Sequence, residues 1–157
     1  APTISLVGQN SPAAAQQQVC ADSTLTFVAN VGAQNGAFWN VGTTRPRLAV
    51  GAAGTYSVQA TSIYGCRSAA SAAINVTVRP RLPAPTIEQT GLFSIQALTV
   101  PDTIRQFNWR LNNTVLTEQT GPVAKALSSG NYTARSLVTY QVGGNTLTCL
   151  SAPSNTL

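Results

Sequence analysis

Histidine is absent from this chain, and only four of its 157 side chains are acidic. Without imidazole, the commonest general base and a principal transition-metal ligand are both missing. The acids stand far apart in sequence, and none belongs to a clustered calcium loop. Lys125 and Ser128 form a Ser-Lys pair by spacing alone, and no motif supports an isopeptide between Lys125 and an asparagine. We therefore expect no enzyme, no metal site and no cofactor. Charged residues of both signs make up only 8% of the chain, against about 25% in ordinary soluble domains. Ser, Thr, Asn, Gln, Ala and Gly take their place, giving a neutral, hydroxyl-rich surface suited to extracellular or packed assemblies. The nine bases, Arg45, Arg47, Arg67, Arg79, Arg81, Arg105, Arg110, Lys125 and Arg135, are scattered and lack interleaved aromatics. The +5 net charge thus reflects scarce acids, and no nucleic-acid partner is expected. No apolar run approaches the roughly 20 residues that span a bilayer, so membrane insertion is not expected either. Ala1-Pro-Thr-Ile4 already reads as a strand start, which suggests a mature or excised segment.

Also missing is any sustained helical period of apolar residues, and the expected fold class is all-β. The organising stretch is Gly54 to Ser71. Tyr56, Val58 and Ala60 alternate with Ser57, Gln59 and Thr61, the period of a half-buried strand. Ile63-Tyr-Gly65 then reads as a turn, and Ala73 to Val78 as a return strand. The chain repeats itself. Gly130-Asn-Tyr-Thr-Ala134 matches Gly54-Thr-Tyr-Ser-Val58, and Cys149-Leu-Ser-Ala-Pro-Ser154 matches Cys66-Arg-Ser-Ala-Ala-Ser71. Ala1-Pro-Thr-Ile4 recurs as Ala84-Pro-Thr-Ile87, 83 residues on, the same interval that separates Cys66 from Cys149. Two copies of one hairpin imply two modules, at 1–80 and 86–157, with a proline-rich linker at 81–85.

In the first module Asn10 to Gln18 reads as loop, and Cys20 leads into a strand with Leu25 and Phe27 on one face. Trp39 follows the Gln34-Asn-Gly36 turn, Arg47 to Val50 form a short strand, and Gly51 to Gly54 turn into the hairpin. In the second, Phe93 to Leu98 and Gln106 to Leu111 supply strands, the latter with Trp109. Trp39, Tyr56, Trp109 and Tyr132 are the expected core aromatics, each tryptophan burying on the order of 200 Å2. As glycan-stacking groups, Tyr64 and Tyr140 near the hairpin ends are better placed than the mid-strand tryptophans. The second repeat ends at Asn155-Thr-Leu157 where the first continues through Asn75-Val-Thr-Val78. Its last strand is therefore expected to be short, and another segment is expected to complete the sheet.

The order Cys20, Phe38-Trp39, Gly54-Thr-Tyr56-Ser-Val58, Gly65-Cys66-Arg-Ser68 resembles the immunoglobulin-like and PKD-like repeats of bacterial surface proteins, particularly those of Bacteroidota. The resemblance covers most of residues 1–80. Over 84–157 it rests on Trp109, Gly130-Asn-Tyr132 and Cys149-Leu-Ser151. It implies two tandem immunoglobulin-like β-sandwiches on a cell surface or secreted, in adhesion or spacing rather than catalysis. Three cysteines admit a structural bridge, a metal site or a redox pair. No Cys-x-x-Cys exists, which disfavours the last two. The expectation is a Cys20–Cys66 disulfide, closing a loop of about 46 residues and contributing roughly 4 kcal/mol. Cys66 lies at a hairpin turn, so that bridge would tie the module's end and not cross its core. Cys149 is left as a buried or free thiol, or one that pairs with another chain. Three Asn-x-Thr triplets, at Asn75, Asn112 and Asn131, arise readily in so Thr- and Asn-rich a chain. The resemblance further implies O-glycosylation at Ser23 and Thr103, each following an aspartate, although Asp-Ser and Asp-Thr also begin strands from turns. The leading function is a structural repeat of an adhesin, stalk or extracellular filament, associating with copies of itself or with neighbouring modules through strand edges. The alternatives are a module binding a glycan or a host or matrix protein, and an accessory domain of a secreted enzyme.

Overall fold

Alternation of apolar and polar side chains shapes strands such as Leu25–Asn30, where Phe27 and Ala29 turn inward. The structure is a computed structural model describing residues 1–33, 35–100, 104–142 and 144–157. Its two compact units are Ala1–Pro80 with Gln141–Asn145, and Arg81–Tyr140 with Thr146–Leu157. No helix occurs among the described residues.

The first unit contains β1 (Thr3–Leu6), β2 (Gln16–Cys20), β3 (Leu25–Asn30), β4 (Gly36–Trp39), β5 (Arg47–Val50), β6 (Gly54–Tyr56), β7 (Val58–Thr61) and β8 (Ile74–Arg79). One layer is β1-β3-β5, antiparallel throughout. The other is β2-β8-β6 continued by β7-β4, because β6 and β7 form one path interrupted at Ser57. Tyr56 pairs with Ile74 of β8, and two residues later Val58 pairs with Trp39 of β4. β2 runs parallel to β8, from Gln16 opposite Asn75 to Cys20 opposite Arg79. This strand falls where the sequence reads as loop. Three consecutive glutamines hide it, yet Gln17 is buried and donates through Nε2 to Ala14 O, which satisfies its amide. Two packed sheets, β1-β3-β5 facing β2-β8-β6 with β7-β4, make an immunoglobulin-like β-sandwich.

Between the layers lie Ile4, Val19, Phe27, Trp39, Val50, Tyr56, Val58, Ile74 and Val76. Phe27 stacks on Trp39 at 6.4 Å and meets Tyr56 edge-on at 6.0 Å. Such pairs add about 0.5–1.5 kcal/mol beyond the area they bury.

The second unit contains β9 (Thr86–Gly91), β10 (Ser94–Leu98), β11 (Gln106–Leu111), β12 (Thr114–Val115), β13 (Val123–Lys125), β14 (Tyr132–Val142) and β15 (Asn145–Leu150). Its layers are β13-β10-β9 and β12-β11-β14-β15, closing on Ile87, Ile95, Phe107, Trp109, Ala124, Tyr132 and Ala134. One expectation changes here. The last strand is not cut short: beyond β15 the chain runs back along β14, and Tyr132 and Leu157 exchange backbone bonds of 2.8 and 3.1 Å. The proline-rich residues 81–85 are anchored to this module. Pro85 is fully buried, Leu82 packs on the second core, and Ser136 Oγ donates to Pro83 O at 2.7 Å.

The cysteines also depart from expectation. Cys66 is an exposed free thiol, so the Cys20–Cys66 bridge does not exist. Cys20 is disulfide-bonded. So is Cys149, which is buried on β15 and is not a thiol. The topology explains why Cys20 and Cys66 do not meet. Cys20 sits beside Arg79, at the C-terminal end of β8. β6 and β7 lead from that end past Ile74 and on to Thr61, with Cys66 beyond it. At about 3.3 Å per residue this is roughly 30 Å of strand, whereas bridged Cα atoms lie within about 7 Å.

Candidate functional site

Both modules carry the same local devices. Each tyrosine of the repeat bonds a carbonyl four residues upstream: Tyr56 OH donates to Ala52 O at 2.9 Å, and Tyr132 OH to Ser128 O at 2.8 Å. Each tryptophan, fully buried, donates Nε1 to a crossing segment, Trp39 to Arg45 O and Trp109 to Gly121 O, both at 2.8 Å. They fill the cores and offer no stacking face. Tyr140 is half-buried on β14, whereas Tyr64 is 87% exposed.

The repeated Ser-x-x-Ser is a strand surrogate. Ser71 N donates to Val58 O at 2.8 Å, and its hydroxyl accepts Val58 N at 3.1 Å. Ser68 treats Ala60 in the same way. In the second module Ser151 does so to Ser136, and Ser154 to Ala134. Each serine then turns its own proton onto the next residue's carbonyl. No sequence signal beyond the repeat itself points to this role.

A concavity of the first unit lies at the end away from Cys20. Ser62 and Gly65 close a turn, with Gly65 N donating to Ser62 O, Ser62 N to Cys66 O, and Cys66 N to Ser62 Oγ. Gly65 takes φ +82°, which this turn requires and glycine adopts without strain. The turn projects Ile63 and Tyr64 into solvent and sends Arg67 back over β4. Its guanidinium sits 3.5 Å above the Phe38 ring, worth about 0.5–1 kcal/mol at an exposed site. Beside this pair opens a cleft of about 390 Å3 lined by Ala37, Phe38, Thr44, Thr61, Ile63 and Arg67. It presents an arginine-capped ring, hydroxyls and backbone groups.

Ser23 is exposed on the turn between β2 and β3, where Asp22 takes φ 62° and Ser23 N donates to Cys20 O. That geometry accounts for Asp-Ser as turn chemistry. Thr103 lies outside the described residues. Among the described residues no group of three or more His, Cys, Asp or Glu is placed to hold a metal ion, and no helix is long and apolar enough to cross a membrane.

No protein-family model matches the chain, and no curated protein matches it. Among solved structures it is similar to murine CEACAM1b, at 14% identity over 99% of this chain and 97% of that one, with a TM-score of 0.44. It is also similar to a chain in the crystal structure of the mouse coronavirus receptor-binding domain complexed with its murine receptor. That match has 14% identity, covers 100% and 98% of the two chains, and gives a TM-score of 0.45. A third similarity is to Bacteroides ovatus SGBP-B of a mixed-linkage glucan utilization locus, in complex with a mixed-linkage heptasaccharide. Identity there is 10% over 98% of this chain and 47% of that one, with a TM-score of 0.32.

Proposed function

We propose that this chain is a non-enzymatic, load-bearing segment of an extracellular protein, a stalk or adhesin repeat on a bacterial surface. The observation that carries this is the parallel pairing of β2 with β8. Tension through the chain ends reaches β2 from its N-terminal side and β8 from its C-terminal side. In a parallel pair those pulls oppose each other along the strands. The ladder, extended by Ala21 N to Arg79 O at 3.0 Å and Asn75 N to Ala15 O at 2.8 Å, is then sheared as a unit. An antiparallel hairpin pulled from its open end breaks one bond at a time. Oxidised Cys20 and Cys149 fit an oxidising compartment. Force spectroscopy of the full chain, tethered at its ends in reductant, tests the reading. Two unfolding events are expected, the first unit giving the stronger. Smooth extension without a force peak would refute it.

A second reading, recognition of a glycan or a protein, is favoured by the cleft beside Phe38 and Arg67. Phe38→Ala and Arg67→Ala are expected to abolish any glycan binding found by array screening without lowering thermal stability by more than a few degrees. Binding that survives both substitutions places the ligand elsewhere.

A further inference from the structure

The bases are scattered along the chain, yet the sheet register of the second unit brings two of them together. Phe107 and Trp109 turn inward on β11, so Asn108 and Arg110 face outward. On β14 the inward residues are Tyr132, Ala134 and Ser136, which leaves Thr133 and Arg135 outside. Arg110 lies opposite Thr133, and Asn108 opposite Arg135. The two arginines are therefore diagonal neighbours on one face, with Cβ atoms about 7 Å apart.

Nothing of opposite charge balances them. Glu88 lies on β9 in the other sheet, Glu118 follows β12, and among the described residues no carboxylate pairs with either arginine. Each guanidinium is fixed at its inner end. Arg110 Nε donates to Asn108 Oδ1 at 3.3 Å. Arg135 Nε is buried without a hydrogen-bond partner, alone in this among the side-chain nitrogens and oxygens of the described residues. An unmet buried donor costs about 1–3 kcal/mol, and more when the group is charged. The Nη groups of both arginines, which no described residue bonds, are left to face an acceptor.

We propose that Arg110 and Arg135 form an oxyanion-binding site on the outer face of β11 and β14. Its ligand is a sulfate or carboxylate group, free or carried on an acidic glycan. A guanidinium fork meets such a group with two parallel N–H bonds. One oxyanion shared by the pair removes the repulsion between them. It also compensates the charge of a guanidinium whose Nε finds no acceptor. Thr133 and Asn108 beside the arginines add a hydroxyl and an amide, which suit the hydroxyls that surround a charged group on a sugar. This site lies wholly in the second unit and does not depend on the cleft at Phe38 and Arg67 of the first.

The test titrates the full chain with inorganic sulfate and follows the arginine Nε–H signals by NMR. Those of Arg110 and Arg135 are expected to shift saturably, while that of Arg47, exposed on β5, moves little. A heparin-derived tetrasaccharide shifting the same two signals at roughly tenfold lower concentration identifies a glycan-borne ligand, because linked contacts reinforce one another. Saturation by sulfate with no tighter binding of the tetrasaccharide identifies the free ion. Arg110→Gln and Arg135→Gln are each expected to weaken binding about tenfold. Arg135→Lys, which keeps the charge and loses the fork, should weaken it nearly as much. Arg47→Gln removes the same charge and should leave binding unchanged. The Trp109 Nε1–H signal, bonded to Gly121 O, reports that each variant is folded. Sulfate shifts that stay linear, or that are matched at Arg47, would overturn the proposal. So would binding that falls as far in Arg47→Gln as in Arg135→Gln.

Discussion

Ser71 and Ser151 each supply a side-chain oxygen to a buried strand amide, Val58 N and Ser136 N respectively. Alanine at either position leaves that amide unpaired, an expected cost of about 1–3 kcal/mol. The readouts are a lowered urea midpoint and faster exchange of the one amide; an unchanged midpoint would assign the hydroxyl no structural role. The matched glycines of the repeat differ in what they do. Gly130 has φ +151°, and a Cβ there would lie 2.6 Å from Leu111 Cδ1 and 2.7 Å from Asn112 Nδ2. Gly54 would meet only the Tyr56 ring, at 3.7 Å. Gly130→Ala is therefore expected to destabilise by roughly 1–3 kcal/mol, and Gly54→Ala far less, as thermal unfolding would show. Trp39→Ala, which empties the fully buried site against Phe27, is expected to cost about 3–5 kcal/mol in denaturant titration.

Strand alternation, the two tryptophans and the two corner tyrosines were legible in the sequence because each is a local pattern. Three features were not. β2 was hidden because a parallel edge strand of Gln16-Gln-Gln18 lacks an apolar face longer than Val19. The serine ladder showed only as a repeat, since a hydroxyl's partner is set by a strand 8 to 20 residues away. The cysteine pattern misled because spacing along the chain says nothing of which end of a sandwich a residue reaches: Cys20 ends β2, whereas Cys66 follows β7 at the other end. Pairing also explains how the second module ties its first strand without a β2 counterpart. Asn155 Oδ1 accepts Ile87 N at 2.7 Å, and Asn155 Nδ2 donates to Ile87 O at 3.0 Å, a side-chain amide replacing a strand. Asn155→Ala is expected to cost about 2 kcal/mol, the loss of two partly buried bonds. It should also lower the unfolding force of the second unit while leaving that of the first unchanged.

At the scale of the whole chain, a sequence with only 8% charged residues leaves little to electrostatic steering. Alkylation of the unreduced protein under denaturing conditions should label a single thiol, Cys66. Label on Cys20 or Cys149 would contradict the oxidised state assigned to them. The central claim is that the first unit resists force by shear of β2 against β8, and such resistance depends on direction. The decisive measurement therefore compares two tethering geometries of the full chain in reductant. One pulls from residues 1 and 80, opposing the parallel strands along their length. The other pulls from residues 22 and 79, which adjoin the same end of the ladder, and so unzips it. The account expects the first geometry to need several-fold more force at equal loading rate, with a length gain of roughly 240 Å at about 3.5 Å per extended residue. Equal forces in the two geometries would contradict it.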